Sequence, residues 1–288
     1  MRSSLIDTLF LSEKRKDLLL FLKNGTKNSE EIKKAFDYPW KSMIPQINKL
    51  VEWDLINYDK GTCTLTAMGN IIVHNMESLL ITLNVHERYG DYWLKHDLSP
   101  IPQELLYRIG ELGECEILEP AIPDIFEQDK EILINIKGSD RIMAFVSVHH
   151  PTQLMIYSEL MEKGTEIDLI MTEDVYGIVR KEILSETDSL QIENPVFMSL
   201  KKEYDKEIEN LFSDLRSNIF VHKGNSVPLN LIVTDSFFSL ALLDNAGKYN
   251  NSMITSSEMS AVLWGKELFE HYMERAEKLT EYEVIKNR

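Results

Sequence analysis

An α/β chain carrying a small helical head is what this sequence predicts, on three observations. Asn28 to Gly69 reads as helix, turn, helix and hairpin. Thr66 to about Lys95 is free of proline and sets Ile72, Met76, Leu79, Leu80 and Leu83 three and four residues apart. After Cys115, strand-like and helix-like runs alternate. The expected boundaries are 1–75 for the head, 76–114 for linking helices and 115–288 for an α/β body.

In the head, Ser12 to Asn24 (SEKRKDLLLFLKN) predicts a first helix stopped by Gly25. Ser29, or Asn28 beside it, caps a second helix, and its opening acids Glu30 and Glu31 suit the positive end of a helix dipole. Asp37, Tyr38 and Pro39 end it. The next helix starts near Lys41 and carries Met43, Ile44, Ile47, Leu50 and Val51 on one face, leaving Lys41, Ser42, Gln46 and Lys49 for solvent. Pro45 is expected in its first turn, where a missing N–H costs little. The hairpin runs from Leu55 to Tyr58, turns at Asp59, Lys60 and Gly61, and returns from Cys63 to Thr66.

Helices followed by such a hairpin are the plan of a winged helix-turn-helix, which lays one helix in the major groove of double-stranded DNA. On this plan Lys41, Ser42, Gln46 and Lys49 meet base edges, and Lys27 and Lys60 meet backbone phosphates. Lys14, Arg15 and Lys16 are either further phosphate contacts or a solvated helix start. The net charge of −16 opposes DNA binding as a whole-chain number, but its distribution does not. Residues 1–75 hold eleven Lys and Arg against nine Asp and Glu, a balance of +2; the remainder holds twenty against thirty-eight, a balance of −18. The acidic body either turns the head toward phosphates or simply confers solubility.

The apolar stripe of the long helix serves a homodimer that grips two half-sites, or packs on its own chain. Pro100 and Pro102 break the chain beyond it, and Pro102 opens a helix over Leu105, Leu106, Ile109 and Leu112. In the body, helices are expected at Pro123–Lys137, Thr152–Lys163, Glu173–Leu184 and Leu200–Leu215. Strands are expected at Arg141–Val148, Glu166–Met171, Asn218–His222, Leu229–Thr234 and Phe237–Leu243, and the alternation implies parallel pairing. A closing helix runs from Ser256 to about Leu279, capped by Ser256 or Ser257.

Catalysis is not expected. There is no GxxxxGK[ST], GxGxxG or GxSxG signature, and so no cofactor is expected either. His149 and His150 follow a strand without a second cluster at metal-ligand spacing. His222 and Lys223 lack the spacer and the aspartate of a phospholipase D motif. Cys63 and Cys115 stand far apart without CxxC context, which argues against zinc and against a disulfide framework; a redox role stays open. A small-molecule effector can bind at strand ends, where Thr172, Asp174 and Tyr176, or Thr234 and Asp235, offer polar groups; each is equally a cap or turn residue. No run approaches the length of a membrane span, so the expected location is the cytoplasm, with no membrane partner.

The run WLKHDLSPIPQELLYRIGELGECEILE, the closing LIVTDSFFSLALLDNAGKYNNSMITSSEMSAVLWGKELFEHYMERAEKL and the head together resemble archaeal regulators of methanogens. These share the middle domain of the methanogenesis and filamentation regulator. The pattern of Trp93, His96, Pro100, Pro102, Leu105, Arg108, Ile109, Gly110 and Leu112 carries most of the resemblance. The tail, with Asp235, Gly247, Trp264, Phe269 and Tyr272, is similar to the sensor end of archaeal sugar-responsive regulators. The resemblance implies a winged-helix head that reads promoter DNA and a C-terminal sensor domain, and it supplies no catalytic residue. The alternative is a winged-helix adaptor that contacts protein rather than specific DNA.

Overall fold

The computed structural model describes residues 4–119, 130–148, 151–184, 211, 216–224, 227–250 and 252–279. His149 and His150, and the expected helix at 200–215 apart from Leu211, lie outside them, as does the first half of the expected helix at 123–137. The chain forms two compact units, Met1–Leu83 and Asn84–Arg288.

The first unit opens with α1 (Leu5–Phe10), which the sequence reading did not anticipate. Ser4 caps it by accepting from the Asp7 amide while Asp7 accepts from the Ser4 amide. Helix α2 (Glu13–Leu22), the short strand β1 (Lys27–Asn28) and α3 (Ser29–Ala35) follow. Asn28, not Ser29, caps α3. Its Oδ1 accepts from the Glu30 and Glu31 amides at 2.9 and 3.0 Å, and Glu31 Oε2 accepts from the Asn28 amide.

Helix α4 (Trp40–Glu52) begins one residue before the expected start, which moves Pro45 out of the first turn and into the helix. The Lys41 carbonyl therefore has no helical N–H four residues on. Strands β2 (Ile56–Asp59) and β3 (Thr62–Leu65) form a hairpin whose two-residue loop is Lys60–Gly61, at φ 48° and 80°. Positive φ at both central residues matches the right-handed twist of the strands. β1 joins β3 on its other edge, giving the order β1-β3-β2. Leu18, Leu19 and Leu22 of α2, Ile32 of α3, and Met43, Ile47 and Leu50 of α4 make the core, closed by Cys63 and by Val73 and Met76 of the next helix.

That helix, α5 (Ala67–Lys95), runs the full expected length, and the division between the units falls within it. In the second unit come α6 (Gln103–Leu106), a single 3₁₀ turn (Ile109–Leu112) and β4 (Glu116–Leu118), then α7 (Lys130–Ile136), β5 (Arg141–Val146), α8 (Pro151–Glu162), β6 (Glu166–Thr172) and α9 (Glu173–Leu184). The remainder is β7 (Ser217–His222), β8 (Leu229–Val233), β9 (Phe238–Leu242), β10 (Met253–Ser256), α10 (Met259–Met273) and β11 (Ala276–Lys278).

The eight strands form one sheet in the order β11-β7-β6-β5-β8-β9-β10-β4. Only β5, β6 and β7 pair in parallel; every other pairing is antiparallel. The parallel pairing expected of the alternating stretch holds for β5, β6 and β7, and the runs after β7 make the sheet mixed. The physical reason is connection length: only four residues separate β8 from β9, room for a hairpin and not for a crossover. Successive side chains serve opposite faces. Met143 and Phe145 face α10 and the last turns of α5, where Trp264, Leu268 and Phe269 are buried. Ile142, Ala144 and Val146 face the layer of Tyr157, Leu160, Val175 and Val179 from α8 and α9.

Helix α10 ends six residues before the expected limit because the chain turns into β11, paired with β7. Its N-cap position is Glu258, not Ser256 or Ser257. The Ser256 hydroxyl is used elsewhere, donating to the Glu114 carbonyl at 2.6 Å.

Candidate nucleic-acid interface and ligand-binding residues

On α4, burial alternates with the helical period. Lys41, Pro45 and Asn48 are exposed on one line, while Ser42, Gln46 and Lys49 lie half-buried beside it. This corrects the expectation that all four polar residues turn freely to solvent. The cause is the start of α2. Lys14 Nζ donates to Ser42 Oγ at 2.8 Å, and Arg15 Nη1 donates to Gln46 Oε1 at 2.7 Å. Ser42 Oγ in turn donates to the Pro39 carbonyl at 2.7 Å. Lys49 is paired with Glu52 at 3.3 Å.

Lys14 also stands 5.2 Å from the centre of the Tyr38 ring, whose hydroxyl donates to Asp17 at 2.9 Å. That bond, followed by burial, pushes the Tyr38 phenol above its ordinary value. The basic run at 14–16, read from the sequence as phosphate contacts or a solvated helix start, thus includes two residues that tie α2 to α4. Glu13 pairs with Lys16. No pattern in the sequence joins Arg15 to Gln46, because the bond spans two helices.

The wing residue Lys60 is exposed at its hairpin tip. Lys27 is half-buried on β1, with Nζ 5.1 Å from the Phe21 ring centre. Several other cations of this unit carry acidic partners: Lys23 with Glu77, and Lys33 with Glu30 at 2.8 Å. Lys33 lies over Trp40 as well, and its bond and charge hold the Glu30 carboxyl below its ordinary value.

The two alternative sets of residues expected at an effector site lie at opposite ends of the parallel strands. Thr172 ends β6 and is buried; its Oγ1 accepts from the Val175 amide at 3.4 Å, as a helix cap does, with Asp174 exposed in the first turn of α9. Tyr176 packs partly buried against the α8–α9 layer. Thr234 is fully buried at the far end of the sheet, where Oγ1 accepts from the Ser236 and Phe237 amides at 3.2 and 3.0 Å. Asp235 Oδ2 accepts from the Asp140 and Arg141 amides at 3.0 and 3.3 Å. β8 runs antiparallel to β5, so Thr234 and Asp235 sit where β5 begins, whereas Thr172 sits where its parallel neighbour ends. A strand of six residues, about 20 Å, separates the two groups.

Asp168, buried at 3 %, accepts from Arg141 Nε at 2.7 Å and from Asn218 Nδ2 at 2.8 Å; Lys278 Nζ reaches Asn218 Oδ1 at 2.6 Å. The sequence showed none of this network, since its members come from three strands and the β11 edge. Desolvation holds both thiols in their neutral form, Cys63 pushed up to about 11 and Cys115 to about 12. Among the described residues no three His, Cys, Asp or Glu side chains are grouped to hold a metal ion. No described helix is long and apolar enough to cross a membrane.

The chain belongs to the family defined by the middle domain of the methanogenesis regulatory protein FilR1, whose model matches residues 125–191 and 186–275. It is 28% identical over 280 residues to the methanogenesis regulatory protein FilR1 of Methanothrix harundinacea (strain 6Ac), which covers 96% of this chain. The chain spans 58% of that relative's length. Among solved structures, TrmBL2, an archaeal chromatin protein with a novel mode of DNA binding, aligns with 92% of this chain and 94% of its own at 14% identity and a TM-score of 0.36. Nuc from Salmonella typhimurium, a phospholipase D family member, aligns with 58% of this chain and 100% of its own at 11% identity and a TM-score of 0.34.

Proposed function

We propose that this protein is a sequence-specific DNA-binding transcriptional regulator. In this reading the first unit is a winged helix-turn-helix and the α/β unit is an effector-responsive sensor. The observation that carries the reading is the first unit itself. Helices α2, α3 and α4, preceded by the short α1, lead into a hairpin with an exposed lysine at its tip, and α4 presents Lys41, Pro45 and Asn48 outward with the cationic start of α2 alongside. Membership of a family named for a methanogenesis regulator supports it.

Lys41 is placed at base edges with Ser42, Gln46 and Lys49 beside it, and Lys27 and Lys60 at phosphates. The partner is promoter DNA. The protein acts as a homodimer through α5: of the expected stripe, Met76 is buried and Ile72 and Leu80 pack on their own unit, while Leu79 and Leu83 stay 48% and 44% exposed, with Met68 and Ile71 at 58% and 57% beside them. Its place is the cytoplasm, and it has no catalytic role.

Fluorescence anisotropy with promoter fragments, its own included, against scrambled duplex at two salt concentrations tests the reading. Tight, promoter-selective binding that collapses with salt is expected. Equal weak binding to every duplex overturns it in favour of the adaptor.

A further inference from the structure

The C-terminal edge of β5, β6 and β7 carries a cluster that the nucleic-acid reading does not use. Phe145, Thr172 and His222 lie on one face of these adjacent strands, Thr172 and His222 as register partners. Open α/β sheets receive ligands at this edge of their parallel strands. The end of α10 stands over them. The Tyr272 ring is 4.8 Å from that of Phe145 and 5.5 Å from that of His222, and the His271 ring is 5.2 Å from that of Tyr272.

Arg275 is exposed just beyond the helix. Its Nη1 donates to the His271 carbonyl at 2.5 Å, and it has no carboxylate partner among the described residues. The Nδ1 atom of His222 is buried and has no hydrogen-bond partner among the described residues. The acids that act on His271 are Glu274 and Glu104, and neither hydrogen-bonds to His222, His271 or Arg275. Burial and then Arg275 lower the proton affinity of both histidines. The remainder of the chain beyond residue 75 carries thirty-eight acidic side chains against twenty basic, yet these three nitrogen-bearing side chains carry no bonded acid among the described residues.

We propose that His222, His271 and Arg275 bind a small oxyanion of the phosphate or sulfate type, with the Thr172 hydroxyl as a further donor. Thr172 Oγ1 accepts from the Val175 amide, which leaves its own proton to give. The guanidinium supplies a permanent charge, and the anion brings the counter-charge that the histidines lack when they take up a proton. Binding of the anion is a property of the α/β unit and does not depend on whether the protein reads DNA.

The test titrates sulfate, which stays fully ionised, into the 288-residue chain while histidine Cε1–H resonances are followed by NMR at about pH 5.5 and about pH 8. Saturable shifts at His222 and His271 are expected, about tenfold tighter at the lower pH and about tenfold weaker in Arg275→Gln. His271→Gln weakens binding as well, Arg275→Lys restores part of it, and inorganic phosphate competes with sulfate. The absence of a saturable shift overturns the proposal. So does a titration that is the same in Arg275→Gln as in the unchanged protein.

Discussion

Arg15 Nη1 donates to Gln46 Oε1 at 2.7 Å, and this bond joins the start of α2 to the middle of α4. Arg15 also donates from Nε to the Thr8 carbonyl at 2.6 Å and from Nη2 to the Asp7 carbonyl at 3.2 Å. One guanidinium thus ties α1, α2 and α4 together and fixes the rotamer of Gln46, one of the residues proposed to meet base edges.

Gln46→Ala is expected to relax base preference at one position of the operator, and Arg15→Ala to do so as well by freeing Gln46. Because the two side chains share a bond, the double variant should lose less than the sum of the single ones. A coupling of about 1–3 kcal/mol is expected from selection of bound sequences and from unfolding. Strict additivity would separate Gln46 from Arg15.

At the wing, charge and conformation can be told apart. Lys60→Ala removes a cation and keeps the strained positive φ of 48°; Lys60→Gly removes the same cation and relieves the strain. Both should weaken every duplex alike and lower the salt slope by about one. Only the glycine variant should be more stable to heat, by about 1 kcal/mol.

Helix α10 lies against the sheet at Gly265. A Cβ there would stand 2.5 Å from Phe238 Cδ2 and 2.9 Å from Val233 Cγ2. Gly265→Ala should cost about 1–3 kcal/mol in denaturant unfolding, because two core side chains must move in a close-packed layer.

The α5 stripe gives a prediction about assembly. Leu79→Asp, on a residue 48% exposed, should leave the unfolding transition within about 0.5 kcal/mol and convert dimer to monomer in sedimentation velocity. An unchanged sedimentation coefficient would assign the stripe no role in pairing.

Acid should weaken the α/β unit through His222 and His271. Both have folded proton affinities below the ordinary histidine value of 6.5, chiefly through burial, so the unfolded chain binds protons more readily. Their stabilising contribution is present above about pH 6.5 and is lost as pH falls through that range. A His222→Gln, His271→Gln double variant should flatten the acid side of a plot of melting temperature against pH.

Much of this architecture was legible. Met43, Ile47 and Leu50 keep helical spacing and are all buried on α4, and the proline-free run to Lys95 became one helix. What escaped has physical causes. β4, β10 and β11 are three or four residues long and exist through their partners rather than through their own pattern. Thr234 and Asp235 look like ligand donors in sequence, yet their acceptors are filled by main-chain amides of the turn and of residues 140 and 141. His222 joined a constellation only when β7 met the end of α10, contacts that span about fifty residues of chain. The four-residue link from Val233 to Phe238 is a signal for antiparallel pairing that can be read from the spacing alone.

The eight-stranded sheet ends on both sides in its shortest strands, β4 and β11, three residues each. Glu116 on one and Glu277 and Lys278 on the other stand exposed. Short, charged margins offer a poor template for another chain to extend. A sheet rich in buried valine, isoleucine and leucine is thereby guarded against end-on polymerisation, and the mixed topology that brings β4 and β11 to the rims is what supplies the guard.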